Sequence, residues 1–102
     1  MPALADGRLI PLRADVDGVA AYVRRSGTRM ALVVANLTSE PVSKVALFSE
    51  RGALPTGNWR LQSLLDSTRS APLHVNDDGR LDGYRGLGSI AALEGRVFEL
   101  RR

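Results

Sequence analysis

The longest apolar stretch of the chain is Arg29–Thr38, and it is apolar at both even and odd positions. Alternate residues of a strand point to opposite faces, which divides the stretch into Met30, Leu32, Val34 and Asn36 on one side and Ala31, Val33, Ala35 and Leu37 on the other. A strand with one face in water alternates apolar with polar residues. The pattern therefore predicts a central strand covered on both sides. A short buried helix is the alternative, since periodicity alone does not exclude it.

Shorter segments with strand-like patterns recur along the rest of the chain. They predict further strands over 8–13, 19–25, 43–49, 58–63, 73–75, 89–93 and 96–100, with a return strand beginning at 80–81. Pro11 cannot donate a ladder hydrogen bond, so the first of these belongs at a sheet edge. Ser26, Gly27 and Thr28 join the segment 19–25 to the central strand as a hairpin.

One segment fits two kinds of structure. Trp59 and Leu61 alternate as in a strand, whereas Leu61, Leu64 and Leu65 would also share a helical face. We expect a strand over 58–63 that bends at Leu64 and Leu65.

Turn-forming residues separate the predicted strands. Loops are expected over 50–57, 67–72 and 83–88, and a turn over 76–79 in which Asp78-Gly79 takes positive φ. Glu94-Gly95 is expected to join the last two strands as a hairpin.

About eight short strands without a long helical period predict an all-β fold, an antiparallel Greek-key β-sandwich. The 102 residues correspond to one domain, residues 1–102.

Composition narrows the classes of function. The chain has no cysteine, which excludes disulfides and thiolate metal sites. No apolar run is long enough to span a membrane, and residues 1–18 lack the pattern of a signal peptide. The net charge of +3 comes from scattered arginines interleaved with acids, and aromatic residues make up only 5%. A nucleic-acid partner is therefore not expected, because such proteins gather basic charge and stacking aromatics on one surface.

Several segments, taken in order, resemble one family. Val19–Arg24, Ala31–Ser39, Leu54–Trp59 and Leu64-Leu65 are similar to successive motifs in the C-terminal domain of α-amylase superfamily glycoside hydrolases. The end, Ile90–Leu100, resembles the closing hairpin of those domains, although Glu94-Gly95 stands where the family often has two prolines. Pro2-Ala3-Leu4 followed by Gly7 is similar to the junction at which the last barrel helix meets this domain.

The resemblance implies a non-catalytic Greek-key sandwich that packs against a catalytic (β/α)-barrel and stabilises it. Residues 1–7 would be a remnant of the junction between the two domains. The implied chemistry of the parent enzyme is hydrolysis or transfer at α-glucosidic bonds by carboxylates on barrel strands. A barrel needs ~250 residues, so this chain holds none of that machinery and is not expected to be an enzyme. The compartment stays open.

The candidate catalytic and metal-binding residues have simpler interpretations. Asp77, Asp78 and Asp82 lie close in sequence, but adjacent strand residues point to opposite faces, and Asp78 suits a turn better than the acid pair of a glycosidase. Asn76, Asp78 and Gly79 match part of a calcium loop, but His74 and Arg85 stand where acids are required. His74, the only histidine, has no partners at metal-ligand spacing. We predict no catalytic, cofactor or metal site.

Two further motifs are also better explained by structure. The glycine-rich segment Gly83–Gly88 lacks the order of a dinucleotide fingerprint and no helix follows it. Asn36-Leu37-Thr38 matches a glycosylation sequon, but it ends a strand predicted to be buried. We expect the Asn36 side chain to hydrogen-bond the backbone of the following turn instead.

Trp59, Tyr22 and Tyr84 are the residues that a sugar-binding platform would use. Trp59 alternates with Leu61, which favours a core position over an exposed one. This weighs against sugar binding, and a carbohydrate-binding module for α-glucans is kept as an alternative function. An immunoglobulin-like interaction domain unrelated to sugars is a third.

Overall fold

The computed structural model describes residues 8–27, 29–64 and 69–101, with the side chains of 69 and 70 excepted. The junction residues 1–7, Thr28 and Leu65 lie outside the described residues. In the described part the protein is all-β, as predicted, with eight strands: β1 Arg8–Ala14, β2 Val19–Ser26, β3 Arg29–Asn36, β4 Leu47–Phe48, β5 Gly57–Ser63, β6 Arg69–Val75, β7 Asp82–Tyr84 and β8 Gly95–Arg101.

All neighbouring strands are antiparallel and form one sheet in the order β6-β5-β8-β3-β2-β1-β4-β7. The two ends of this sheet approach each other, because Ala71 on β6 donates its N–H to Gly86 O at 3.3 Å and the Tyr84 hydroxyl donates to Ala71 O at 2.5 Å. The sheet is thus nearly closed into a barrel. The finer expectation of a two-sheet Greek-key sandwich stays a prediction.

β3 lies in the middle of the sheet, between β2 and β8, as its apolar pattern predicts. Its even-numbered face is fully buried, and every strand adds a side chain to the same core, including Ile10, Val23, Leu32, Leu47, Leu61, Leu73, Tyr84 and Phe98. The opposite face is not covered throughout: Val33 and Ala35 are half-buried and Leu37 is exposed. The prediction of a strand covered on both sides is therefore right for one face and wrong for most of the other.

The prediction that β1 lies at a sheet edge is wrong, because β1 stands between β2 and β4, although Pro11 itself has a strand partner on one side only. The Arg8–Leu12 part of β1 pairs with β2, and only Arg13 and Ala14 pair with β4 on the other side. The hairpin of β2 and β3 is confirmed, with Ser26 opposite Arg29. β5 is a strand that ends at Ser63, with a bend at Leu64.

The other predicted bounds need correction. Within 43–49 only Leu47 and Phe48 form a strand, because the Ala46 N–H is taken by the Asp15 carboxylate at 2.8 Å rather than by a ladder partner. β6 begins at Arg69, inside the expected loop, and β7 extends into the expected loop at Gly83.

The closing hairpin is also different from the prediction. The segment 89–93 is not a strand, since Ile90 makes only an isolated bridge to Val42. β8 pairs with β3 and β5 instead. Long-range pairing thus replaces the local hairpin that the sequence suggested.

Candidate functional site

An apolar row crosses the middle of the sheet on the face opposite the core. Pro11, Tyr22, Val33 and Val97 stand directly opposite one another on β1, β2, β3 and β8. We call these four residues the apolar row. Pro11 is exposed and the other three are half-buried, whereas the neighbouring row on the core side, made of Ile10, Val23, Leu32 and Phe98, is at most 5% exposed.

The row continues and is bordered by small residues. The Leu64 N–H donates to Val97 O at 2.9 Å, so Leu64, the residue that follows β5, adds a fifth apolar side chain, 43% exposed, to the end of the row. Ala20, Ala35 and Gly95 form a parallel row of small residues on one side. With strands ~4.8 Å apart, the five positions span about 19 Å. The centre of this outer face is apolar enough to accept another protein surface.

The other border of the row is polar and contains a buried acid. Glu99 stands opposite Ala31 on one strand and Gln62 on the other, and it is only 6% exposed. Arg29 donates to Glu99 Oε2 at 2.9 Å, and Arg101 Nε donates to Oε1 at 2.7 Å. The Arg29 hydrogen bond, aided by the hydrogen bond and charge of Arg101, lowers the pKa of Glu99, while burial acts in the opposite direction.

The predicted candidate residues occupy structural positions. Asp77 and Asp78 lie in the turn after β6, where Asn76 Oδ1 accepts from the N–H groups of Asp78 and Arg80, both at 3.1 Å. Of the Asp78-Gly79 pair predicted to take positive φ, Gly79 does so at +69°, whereas Asp78 does not. His74 is exposed, and its Nδ1 lies 2.7 Å from Asn58 Oδ1. Among the described residues no group of three or more His, Asp or Glu side chains is arranged to hold a metal ion.

The three aromatic side chains do not form a sugar-stacking platform. Trp59 is 6% exposed and donates its indole N–H to Pro55 O at 3.2 Å, which confirms the predicted core position. Tyr84 is also buried, and burial raises the pKa of its hydroxyl to about 12. Tyr22 alone of the three is part of the outer face. Their rings therefore do not share one exposed surface, which weighs against the alternative of a carbohydrate-binding module.

The Asn36 prediction is confirmed. Asn36 Oδ1 accepts from the Thr38 N–H at 3.0 Å, and the residue is fully buried. What sequence reasoning missed is Glu99 with its arginines. Its signal was faint: Glu99 alternates with the core residues Phe98 and Leu100, which favours solvent exposure, and nothing in the local sequence pairs it with Arg29.

The described part of the chain contains no helix that could cross a membrane. Comparison with models of known protein families finds no match to this chain. A search of characterised proteins likewise finds no match.

Proposed function

We propose that this chain is the C-terminal β domain of an α-amylase-like glycoside hydrolase, and that it is a non-catalytic module which packs against the catalytic (β/α)-barrel and stabilises it. The support from sequence is the ordered set of segments that resemble this family. The observation that carries the proposal is the apolar row, which lies on the face of the central strands that the core does not use.

The outer face has the properties that a domain-docking surface requires. Its centre is apolar and built on four paired strands, so its side chains are held in place before binding. Small residues on one border let a partner backbone approach closely, and charged groups on the other border suit the polar rim of an interface. Interfaces between domains of one chain bury ~600–1,500 Å², a size that a face about 19 Å wide can supply.

The first test is to determine the coding sequence upstream of Met1. The proposal predicts a sequence that encodes a (β/α)-barrel with glycosidase carboxylates. A preceding frame that encodes no barrel overturns it.

The second test uses the barrel from that frame as a separate protein. We expect the 102-residue chain to bind it in size-exclusion chromatography and to raise its melting temperature. The chain alone should release no reducing ends from starch above a heat-killed control.

A pair of variants locates the interface. Val33→Arg places a charge in the centre of the apolar row and should abolish binding, whereas Asp77→Arg, in the exposed turn after β6, should leave it intact. Circular dichroism melts of both variants establish that they are folded. Binding that survives Val33→Arg in a folded variant contradicts the proposed docking face.

A further inference from the structure

The sheet contains a gap between β1 and the segment that follows β4. β1 pairs with β4 only at Arg13 and Ala14, and beside this short pairing lies an open groove of about 650 Å³. One wall of the groove is formed mainly by Arg8–Leu12, and the other by Phe48–Ala53. Within the described part of the chain, Arg8–Leu12 pairs with β2 and with no strand on its other side. We call this unpaired side of β1 the open edge.

The main chain of β1 directs hydrogen-bonding groups into the groove. The Asp15 N–H donates to Ala46 O at 3.1 Å, toward β4. Because the N–H and C=O groups of successive residues point to opposite sides of an antiparallel strand, Arg13, Pro11 and Leu9 face the same side as Asp15. Pro11 has no N–H, so this orientation leaves the ladder with β2 complete. The open edge therefore offers the N–H and C=O of Leu9 and the C=O of Pro11.

The hydrogen bonds of the neighbouring hairpin agree with this orientation. The Leu37 N–H donates to Gly18 O at 2.8 Å, in register with the pairs of β2 and β3. Even-numbered residues of β2 therefore bond to β3, and odd-numbered residues such as Val23 bond to β1. Val23 stands opposite Ile10, so Ile10 directs its main-chain groups toward β2 and the residues on either side of it face the groove.

Arginines stand at both ends of the open edge. Arg8 is exposed and makes no hydrogen bond or ion pair with a described residue. Arg13 is also exposed, and its guanidinium carbon lies over the Phe48 ring, 4.8 Å from the ring centroid. On the opposite wall Glu50 and Arg51 have opposite charges. The two end arginines therefore make the groove favourable for an acidic partner.

The groove between these arginines has accessible apolar side chains. Leu9 is 48% exposed, and Leu12, Phe48 and Ala53 are half-buried, so each retains surface for a partner. A strand that alternates apolar and polar residues would turn one set toward these side chains and the other toward water.

We propose that the open edge binds an extended acidic peptide, which joins the sheet as an additional strand beside β1. Main-chain hydrogen bonds to Leu9 and Pro11 supply affinity, and the two end arginines select acidic residues. Five strand residues, about 17 Å long, cover Arg8–Leu12. This inference goes beyond the proposed function and does not rest on it.

A second copy of this chain is a poorer partner for the open edge. Pairing two such edges would bring the arginines of both copies together, and like charges across a strand pair are destabilising. Pro11 would also remove one donor from each copy, which is a common protection against pairing between edges.

The test titrates the chain with the peptide Ac-Glu-Val-Thr-Val-Thr-Val-Glu-NH2 and follows the amide signals by NMR. We expect a dissociation constant of about 0.1–1 mM. The same peptide N-methylated at its three central residues lacks the donors for strand pairing and should bind at least about ten-fold more weakly. A peptide with Lys in place of both Glu residues should also bind more weakly, because its charge is repelled by the end arginines.

Hydrogen exchange distinguishes strand addition from general attraction to a basic protein. In the free chain the Leu9 N–H should exchange rapidly, whereas the Ile10 N–H, which faces β2, should be protected. The peptide should protect Leu9 and leave Ile10 unchanged. A Leu9 amide that is already protected in the free chain would mean that another segment or a second copy covers the open edge, and this overturns the proposal.

Variants test the two kinds of contact separately. Pro11→Ala adds an N–H to the open edge and should tighten peptide binding about five-fold, which attraction between charges alone would not do. The double variant Arg8→Gln, Arg13→Gln should weaken binding about ten-fold. Its matched control Arg80→Gln, Arg85→Gln removes two exposed arginines outside the groove and should change affinity less than about two-fold.

Circular dichroism melts establish that these variants are folded. Equal affinity for the N-methylated peptide, equal losses in the two double variants, no gain in Pro11→Ala, or no binding at millimolar concentration overturns the proposal.

Discussion

The side chain of Asn36 holds Thr38 in place: its Oδ1 accepts from the Thr38 N–H at 3.0 Å and from the Thr38 hydroxyl at 2.7 Å. The amide nitrogen of Asn36 lies 2.8, 3.2 and 3.1 Å from the carbonyl oxygens of Glu40, Ile90 and Ala91. One buried side chain therefore ties the end of the central strand to the turn that follows it and to the segment before β8.

Replacing this side chain should be costly. Asn36→Ala leaves several buried backbone groups without partners, and we expect a loss of about 3 kcal/mol in the free energy of unfolding. Asn58→Ala, on an exposed part of β5, is the matched control and should lose less than about 1 kcal/mol. Urea denaturation of both variants measures the difference. Equal losses would show that the Asn36 contacts add nothing to stability.

Adjacent positions of β3 test the two faces of the sheet. Val34 is fully buried and Val33 is half-buried on the outer face. Val34→Asp places an unpaired charge in the core and should cost about 4 kcal/mol or more, whereas Val33→Asp should cost about 1 kcal/mol. Thermal melts compare the two variants with the parent. A Val34→Asp variant that melts close to the parent would place that face outside the core.

The ion pairs of Glu99 should make stability depend on pH in the acid range. The pKa of Glu99 is lowered from 4.5 in the folded state, so the folded protein binds this proton less readily than the unfolded chain. The stabilisation is complete above pH about 4.5 and is lost as pH falls through the lowered pKa.

Glu99→Gln removes this titration. The variant should be less stable than the parent at pH 7, and the gap should narrow as pH falls below about 4.5. Glu50→Gln, in an exposed loop, should differ from the parent by a small and steady amount. Urea midpoints recorded from pH 7 to pH 3 give both curves. A gap that widens toward low pH would contradict the assigned direction of the pKa shift.

Tyr84 should govern stability in the alkaline range. Burial raises the pKa of Tyr84 from 10.0 to about 12, so the unfolded chain loses this proton first. The stabilisation is present below pH 10 and is lost between pH 10 and 12.

Tyr84→Phe should remove that alkaline loss. At neutral pH it should cost about 1 kcal/mol, because the hydroxyl no longer donates to Ala71 O across the gap between β6 and β7. Tyr22→Phe, on the outer face, is the control. Hydrogen exchange at Ala71 and Gly86 measures how far the two ends of the sheet separate, and unchanged exchange in Tyr84→Phe would mean that the hydroxyl does not hold them together.

Two glycines distinguish backbone strain from steric conflict. Gly79 and Gly88 have nearly the same φ, +69° and +70°, but a Cβ at Gly79 would lie 3.0 Å from both Gly52 Cα and Leu54 O, whereas Gly88 faces open space. Gly88→Ala should cost about 1–2 kcal/mol from φ alone, and Gly79→Ala should cost more. Chemical denaturation of the pair checks this order. Equal losses would indicate that the turn after β6 can move away from the loop at Gly52.

Sequence patterns were sufficient for the local features of the fold. Alternation predicted the strands β1, β2, β3 and β5 almost to the residue, because the period of two is a property of each strand alone. Turn chemistry predicted positive φ at Gly79, and hydrogen-bonding geometry predicted the contact from Asn36 to the turn after it. Each of these depends on residues only a few positions apart.

Pairing and burial were decided by the tertiary structure. The sequence suggested that β8 would pair with the segment before it, but β8 inserts between β3 and β5, where its Phe98 and Leu100 reach the core. The short length of β4 also results from a long-range contact. The carboxylate of Asp15 accepts the N–H of Ala46, 31 positions away, which a longer strand would use for pairing.

The candidate surfaces show most clearly the difference between what the sequence determines and what the tertiary structure decides. By itself the sequence determined that β3 is a central strand with two apolar faces, but only the closing of the sheet decided which face became core and which became the outer face. Glu99 and Arg29 are 70 positions apart, yet the sheet brings them to 2.9 Å. Such contacts depend on strand order, which local periodicity does not encode, and so only the folded chain creates the ion pairs of Glu99.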